Sequence, residues 1–173
     1  MSIGEAVAAA SAYLTEHPDE ARYRDSAAVA RIESGLVVTV TGADGATLRT
    51  DMPSGIGGTA SAPSPGWVLR AAEASCVASL VAIRAAALGI EVASVEVEVD
   101  SESDDRGILG LADDVPAGPL STRISVAIDA PGRSPAEIED LASWAVAHCP
   151  VVDAVRRAIP IELVVRPAEE VSP

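Results

Sequence analysis

Residues 64–90, SPGWVLRAAEASCVASLVAIRAAALGI, carry the helical pattern that decides the fold. Ser64 is a good N-cap, Pro65 suits the first helical position, and Gly89 is a typical stop signal. Apolar side chains recur at helical spacing between these signals. We therefore predict a helix from the proline to about Leu88, with one stripe facing the core or an interface: Leu69, Ala72, Cys76, Leu80, Ile83 and Ala87.

A second helix is predicted to lead to the other cysteine, Cys149. Residues 134–137, Ser-Pro-Ala-Glu, combine a capping box with proline at the first helical position. The face that follows is apolar and consists of Ile138, Leu141, Ala142, Ala145 and Cys149. Pro150 breaks the backbone pattern and suits the start of a further short helix that ends near Arg157. Cys149 would then lie at or near an N-cap, where the helix dipole favours a thiolate.

The remaining patterns predict one mixed α+β domain. Ser2 and Glu5 form a capping box, and the apolar spacing after them predicts a helix that stops at His17 and Pro18. Alternating apolar residues bounded by Gly and Pro predict strands at 28–32, 36–41, 46–50, 92–99, 120–128 and 161–165. The Gly-, Ser- and Pro-rich residues 53–66 predict a loop. We divide the chain into an N-terminal helical extension at 1–24, a single domain at 25–167 and a tail at 168–173.

Composition narrows the classes of partner. The hydrophobic fraction is 49% but the aromatic fraction only 2%, so Val, Ile, Leu and Ala must fill the core. The net charge of -14 disfavours nucleic acid and anionic membrane surfaces as partners. The N-terminus has no basic region before its apolar residues, and Glu5 interrupts them, so we expect a cytoplasmic protein. In that reducing compartment two cysteines are more typical of free thiols or a redox couple than of a permanent disulfide.

The cysteines admit a structural and a chemical interpretation, and residue patterns alone leave both open. As small apolar side chains, Cys76 and Cys149 could simply pack in the core. His148 adjoins Cys149, but consecutive helical residues point about 100° apart, so a Cys-His catalytic pair is disfavoured. Two Cys and two His without ligand spacing do not form a zinc pattern. We expect neither a cofactor nor a bound metal.

Two further stretches resemble ligand loops but fail on spacing. Residues 100–105, Asp-Ser-Glu-Ser-Asp-Asp, place Asp105 at the sixth position and Leu111 at the twelfth, where a calcium loop requires Gly and Glu. We therefore expect a solvated loop there. Residues 55–58, Gly-Ile-Gly-Gly, lack the Lys-Ser/Thr of a phosphate-binding loop, which favours an ordinary flexible loop.

The order of these elements resembles the OsmC/Ohr family, the osmotically inducible protein C and organic hydroperoxide resistance proteins. The resemblance covers about residues 25–166. It is carried by Gly57-Gly58, by Ser64-Pro65 leading to residues 70–76, RAAEASC, by Gly89-Ile90 before a Val-rich strand, and by residues 148–151, HCPV. The N-terminal helix and the acidic residues 100–110 look additional to the family pattern.

The resemblance implies an α+β protomer with N-terminal antiparallel strands, a long central helix that carries Cys76, a second sheet and further helices, assembled as an intertwined homodimer. By position Cys76 matches the cysteine that attacks a peroxide, and Cys149 matches the resolving cysteine. The implied activity is reduction of organic hydroperoxides to alcohols through a Cys76 sulfenic acid and a Cys76–Cys149 disulfide, which an external dithiol then reduces. Such an activity belongs to oxidative stress defence.

Two positions depart from what the resemblance implies. Family peroxidases resembling this chain carry Glu after the helix-opening proline, where this chain has Gly66, and Arg between the first two strands, where it has Ser34-Gly35. Glu73 with Arg31 or Arg49 is a candidate replacement for that charged pair. The departures count against efficient peroxidase activity. They leave an alternative open, a non-catalytic small-molecule binding protein on the same scaffold.

Overall fold

The computed structural model describes residues 1–167, so the predicted tail at 168–173 lies outside the described residues. The described chain is mixed α+β, as predicted. Its α-helices are α1 (Ile3–Glu16), α2 (Pro65–Ala87), α3 (Asp105–Ile108), α4 (Pro135–Ala147) and α5 (Pro150–Arg156). Its strands are β1 (Val29–Ser34), β2 (Val37–Thr41), β3 (Thr47–Thr50), β4 (Ser94–Glu102) and β5 (Ser121–Asp129).

The first three strands form an antiparallel sheet in the order β1-β2-β3. A tight turn joins β1 to β2 through Gly35, whose φ of 57° lies in the left-handed region that glycine tolerates best. A short 3₁₀ turn at Ala43–Gly45 joins β2 to β3. Val37 is the residue of β2 that is fully buried, whereas all six residues of β1 are exposed. Each of the three strands was predicted to start one residue before its observed start.

The second sheet is the antiparallel pair β4 and β5, whose residues pair from Ser94↔Asp129 to Glu102↔Ser121. On β4 half-buried valines alternate with exposed glutamates, as the sequence pattern predicts for a strand with one covered face. The prediction that residues 100–105 form a loop was wrong for residues 100–102. Asp100, Ser101 and Glu102 extend β4, because backbone pairing with β5 outweighs the weak strand preference of acidic residues.

Helix α2 packs against β4, α4, α1 and α5. Its buried residues are Glu73, Val77, Val81 and Ala85. The predicted stripe through Leu69, Cys76 and Leu80 is only half-buried. It lies next to the fully buried face, on which Glu73, Val77 and Val81 each follow a residue of the predicted stripe by one position. The sequence pattern did not identify the buried face because Glu73 lies on it. A search for apolar residues at helical spacing does not select a face that contains a glutamate.

The predicted helix starts are confirmed in detail. Ser2 and Ser134 each accept a hydrogen bond from the backbone N–H three residues later, and Glu5 and Glu137 complete both capping boxes. Ser64 caps α2 in the same way, with Pro65 as the first helical residue. These signals are local, which is why the sequence alone sufficed to place them.

The predicted final strand at residues 161–165 was wrong for the protomer. These residues have no strand structure, and Ile161 and Leu163 are 90% and 85% exposed. A strand needs a neighbouring strand for its backbone N–H and C=O groups, and the described protomer supplies none at this place. An apolar, strand-forming segment is therefore left without a partner.

Helix α2 also has the length and apolar composition of a membrane span. The central helix of a water-soluble protein passes the same test, and α2 carries Arg70, Glu73 and Arg84 along its length.

Candidate active site

The structure brings together the two cysteines that the sequence separates by 73 residues. Cys76 lies in the middle of α2 and is half-buried, and Cys149 is fully buried between α4 and α5. The two thiols are close enough that Cys149 acts on the pKa of Cys76. Cys149 belongs to the apolar core with Val77, Val81 and Val152, and Cys76 packs against that core.

Cys149 is the N-cap of α5, as the Cys-Pro sequence predicts. Its Sγ accepts from the backbone N–H of Val152 at 3.5 Å, and its carbonyl accepts from the N–H of Asp153 at 2.8 Å. The preceding amide, the N–H of Val151, acts on the Cys76 thiol and lowers its pKa. The first-turn N–H groups of a helix have no partner within the helix. Here the N–H of Val152 is used on the Cys149 sulfur.

Opposing effects act on the Cys76 thiol. Burial raises its pKa above the ordinary value for cysteine, and the hydrogen bond and charge of Cys149 raise it further. The N–H of Val151 acts in the other direction because it stabilises the thiolate. Burial and the second thiol prevail, so in this protomer Cys76 is held mainly as a thiol.

Glu73 lies one turn before Cys76 on α2 and is only 2% exposed. Burial raises the pKa of its carboxyl, and the positive charge of Arg70 partly offsets that rise. The residue borders a small cavity of about 260 Å³ together with Ser121, Thr122 and Arg156. A carboxyl held more fully protonated repels a neighbouring thiolate less than an ionised one would.

The arginines proposed as partners of Glu73 lie elsewhere in the protomer. Arg31 is on the exposed strand β1. Arg49 pairs instead with Glu33, its Nη2 lying 3.0 Å from Oε2. The charge that acts on Glu73 comes from Arg70, which the sequence pattern did not single out for this role.

His148 does not face Cys149 as a catalytic base would. Its ring stacks on Trp144 with centroids 4.1 Å apart, and its Nδ1 lies 2.8 Å from the Trp144 carbonyl oxygen. The guanidinium of Arg84 lies over the Trp144 ring, with Cζ 4.9 Å from the ring centroid. Among the side chains that the structure describes, no group of three or more His, Cys, Asp or Glu could hold a metal ion.

The Gly-Gly loop is a tightly anchored segment, contrary to the expectation of a flexible loop. Asp51 is 1% exposed, and its carboxylate accepts hydrogen bonds from the backbone and side chains of Thr59 and Ser61. These bonds, led by the Thr59 hydroxyl, hold the pKa of Asp51 well below its usual range. A Cβ built on Gly58 would lie 1.8 Å from the Met52 carbonyl oxygen, so only glycine fits. The sequence signal that could have revealed this anchor is an aspartate, Asp51, followed 8 and 10 residues later by the hydroxyl residues Thr59 and Ser61.

Comparisons with known proteins agree with this architecture. The family described as OsmC-like protein matches residues 58–164, which is more than half of the chain. No curated protein is detectably similar to the chain in sequence.

Solved structures share the fold at low identity. An osmotic stress induced and detoxification response protein from Psychrobacter arcticus is 18% identical, with 77% of this chain and 90% of that chain covered and a TM-score of 0.61. An organic hydroperoxide resistance protein from Legionella pneumophila is 24% identical, with 78% and 91% covered and a TM-score of 0.55. The organic hydroperoxide resistance protein OhrB of Bacillus subtilis is 19% identical, with 77% and 91% covered and a TM-score of 0.51. The chain therefore belongs to the OsmC-like protein family.

Proposed function

We propose that this protein reduces organic hydroperoxides to alcohols, with Cys76 as the attacking thiol and Cys149 as the resolving thiol. The observation that carries the proposal is the packing of Cys76 against the core cluster that contains Cys149, close enough for the two thiols to interact at the N-terminal end of α5. Contact between two free thiols is what a dithiol-disulfide couple requires, because the disulfide can form with little backbone movement. Two structural neighbours are organic hydroperoxide resistance proteins, which agrees with a redox role.

The proposed chemistry has three steps. The Cys76 thiolate attacks the terminal oxygen of ROOH, the O–O bond breaks, and RO⁻ leaves and takes a proton to become the alcohol. The sulfenic acid on Cys76 is then attacked by the Cys149 sulfur, which gives the Cys76–Cys149 disulfide and water. An external dithiol exchanges with this disulfide, restores both thiols and is itself oxidised to a disulfide.

Neighbouring groups have distinct roles in this proposal. The N–H of Val151 stabilises the Cys76 thiolate as it forms, and that of Val152 does the same for Cys149 in the resolving step. Burial raises the pKa of the Glu73 carboxyl, which lessens the repulsion that an ionised carboxylate would exert on the thiolate. Arg31 remains a proposed supporting residue that would have to come from a neighbouring subunit. The valines around the sulfurs favour substrates with an apolar organic group.

The protein would act as a homodimer in the cytoplasm. Residues 161–165 are apolar and exposed, with Ile161, Leu163 and Val165 each more than 80% exposed. A second copy could cover this segment by strand pairing, which would satisfy its backbone groups. Both cysteines are free thiols, as a reducing compartment would keep them between turnovers.

A second candidate function is ligand binding without catalysis. The raised pKa of Cys76 favours it, since the thiolate is the reactive form. Gly66 favours it as well, because no carboxylate is available at that position to help activate the thiol.

Hydroperoxide consumption separates the two candidates. Reduced protein is mixed with cumene hydroperoxide and a dithiol, and the peroxide is followed over time. Peroxidase function predicts steady turnover for the wild type, none for Cys76→Ser, and one turnover followed by a stall for Cys149→Ser. A wild-type protein that is inert with several dithiols would reject the peroxidase proposal in favour of ligand binding.

A further inference from the structure

The two cysteines differ in how far solvent reaches their side chains. Cys149 is fully buried, with 0% of its surface exposed, whereas Cys76 is half-buried on α2. A disulfide between them would therefore offer an external reductant two unequal sulfurs. Thiol-disulfide exchange depends on which sulfur the incoming thiolate can reach and on which thiol leaves. The surroundings of the two cysteines bear on both factors.

The core closes off the sulfur of Cys149. The cluster that contains it also includes Val77, Val81, Ala145 and Val152, none of which is more than 4% exposed. These four residues come from α2, α4 and α5, so three helices shield the sulfur. To touch it, an incoming thiolate would have to lose its hydration shell and push apart a close-packed core. Cys149 is therefore a poor point of attack.

Cys76 has a more open setting on α2. It packs against the buried cluster from outside, as a partly buried neighbour. Ser75 and Ser79, which lie one position before and three positions after it, are exposed to solvent. Both are small, and their hydroxyls donate to carbonyls of their own helix, those of Ala72 and Ser75. Short polar side chains held against the helix thus border the exposed side of Cys76.

The leaving sulfur also favours attack at Cys76. If Cys76 is attacked, Cys149 takes up the electron pair of the broken S–S bond. In the reduced protein the N–H of Val152 donates to the Cys149 sulfur at 3.5 Å. A hydrogen bond to a sulfur that gains negative charge stabilises the charged form. The donor for the leaving sulfur is therefore part of the fold.

We infer that an external dithiol attacks the Cys76 sulfur of the Cys76–Cys149 disulfide, so that Cys76 carries the mixed disulfide with the reductant. This inference rests on the proposed function for the origin of the disulfide. It adds which of the two sulfurs the reductant meets.

The exchange has two steps. One thiolate of the reductant bonds to the Cys76 sulfur, the bond to Cys149 breaks, and the Cys149 sulfur takes the electron pair and a proton. The second thiol of the reductant loses a proton and, as a thiolate, attacks the reductant's own sulfur in the mixed disulfide. The reductant leaves as a disulfide. Cys76 is released as the thiolate, the form that attacks the next hydroperoxide.

Trapping with a monothiol tests the inference. The protein is first oxidised with diamide, which couples two thiols without a hydroperoxide, so the result does not depend on peroxidase activity. It is then exposed briefly to mercaptoethanol, which has one thiol and cannot close into a cyclic disulfide. Free thiols are blocked with N-ethylmaleimide, and the peptides are analysed by mass spectrometry. We expect mercaptoethanol on the Cys76 peptide and N-ethylmaleimide on the Cys149 peptide. The reverse pattern, or equal labelling of both peptides, would overturn the inference.

Two single-cysteine variants measure access to each sulfur separately, and they decide the question even if diamide forms no disulfide. Folded Cys149→Ala, which keeps Cys76, should react with dithiodipyridine about tenfold or more faster than folded Cys76→Ala, which keeps Cys149. In unfolding urea both variants should react at the same rate, which is the matched control. Circular dichroism checks that both are folded, and serine replaces alanine in a variant that is not. Equal rates in the folded variants would contradict the assignment.

The two proposals fail in different ways. Mercaptoethanol on Cys76 in a protein that consumes no hydroperoxide would reject the proposed function alone. Mercaptoethanol on Cys149 in a protein that does consume hydroperoxide would reject this inference alone.

Discussion

Cys76 packs against the core cluster that contains Cys149, and the two thiols interact. The N–H of Val152 donates to the Cys149 sulfur, and the N–H of Val151 lowers the pKa of Cys76. The arrangement depends on Pro150, which stops α4 and starts α5 so that Cys149 becomes an N-cap. It does not by itself activate Cys76, because burial and the second thiol outweigh the Val151 amide. We therefore expect Cys76 in the isolated protomer to react slowly with a hydroperoxide, because the thiolate is the reactive form.

The reactivity of Cys76 should depend on Cys149. Because Cys149 raises the pKa of Cys76, Cys149→Ala should lower the midpoint of the pH profile for alkylation of Cys76. The wild-type midpoint should lie above that of an unperturbed cysteine. The rate of iodoacetamide labelling of the Cys76 peptide, followed by mass spectrometry from pH 6 upward, measures both. An unchanged midpoint in the variant would show that the two thiols do not interact.

Replacing Glu73 should stabilise the protein at neutral pH. Its folded-state pKa is raised, so the stability of the protonated form is fully present below the unfolded pKa and is lost as pH rises through the folded pKa. Glu73→Gln mimics the protonated acid at every pH. The excess Tm of this variant over the wild type should be small at pH 4 and should grow as the pH rises to 7.

Glu137→Gln is the matched control for Glu73→Gln, because the pKa of Glu137 is shifted in the opposite direction. The pKa of Glu137 is lowered by its hydrogen bonds to Ser134 and Arg133, so its contribution is present above the unfolded pKa and lost as pH falls. This variant should lose Tm relative to the wild type at pH 7, and the loss should fade toward pH 3. Parallel pH trends for the two variants would contradict the assigned environments.

The anchored Gly-Gly loop predicts unequal effects of two similar substitutions. Gly58→Ala should destabilise the protein by about 2 kcal/mol or more, because its Cβ would overlap the Met52 backbone. Gly55→Ala should change stability by less than about 0.5 kcal/mol, since no atom lies within 4 Å of its Cβ position. Urea unfolding measures both free energies. Equal effects would mean that the loop is not held as described.

The exposed C-terminal segment predicts a dependence of assembly on its apolar side chains. Leu163→Asp should shift the protein from dimer to monomer, because a charge would be buried against the second copy. Leu111→Asp is the control, since Leu111 is similarly exposed, at 70%, but lies outside residues 161–165. Light scattering coupled to size-exclusion chromatography gives both masses. A monomeric wild type would refute the homodimer.

Much of the fold follows from local signals in the sequence. Ser2, Ser64 and Ser134 mark helix starts because their side chains bond amides three residues on, and Pro150 marks a break because proline lacks a donor. What the sequence could not show depends on contacts between distant elements. The burial of Glu73 depends on the packing around α2, and the donor to the Cys149 sulfur is a backbone amide of α5, which no residue type reveals. Residues 161–165 have strand character, but pairing needs a neighbouring strand, and the described part of the protomer has none there.

Peptide mapping after a single oxidation tests the central claim most directly. Reduced protein is treated with one equivalent of cumene hydroperoxide without a dithiol, digested under non-reducing conditions and analysed by mass spectrometry. We predict one cross-linked species, in which the Cys76 peptide is joined to the Cys149 peptide with loss of two hydrogens. One equivalent of cumyl alcohol should form with it. Unconsumed peroxide with both thiols still free, or sulfinic acid on Cys76 without the cross-link, would contradict it.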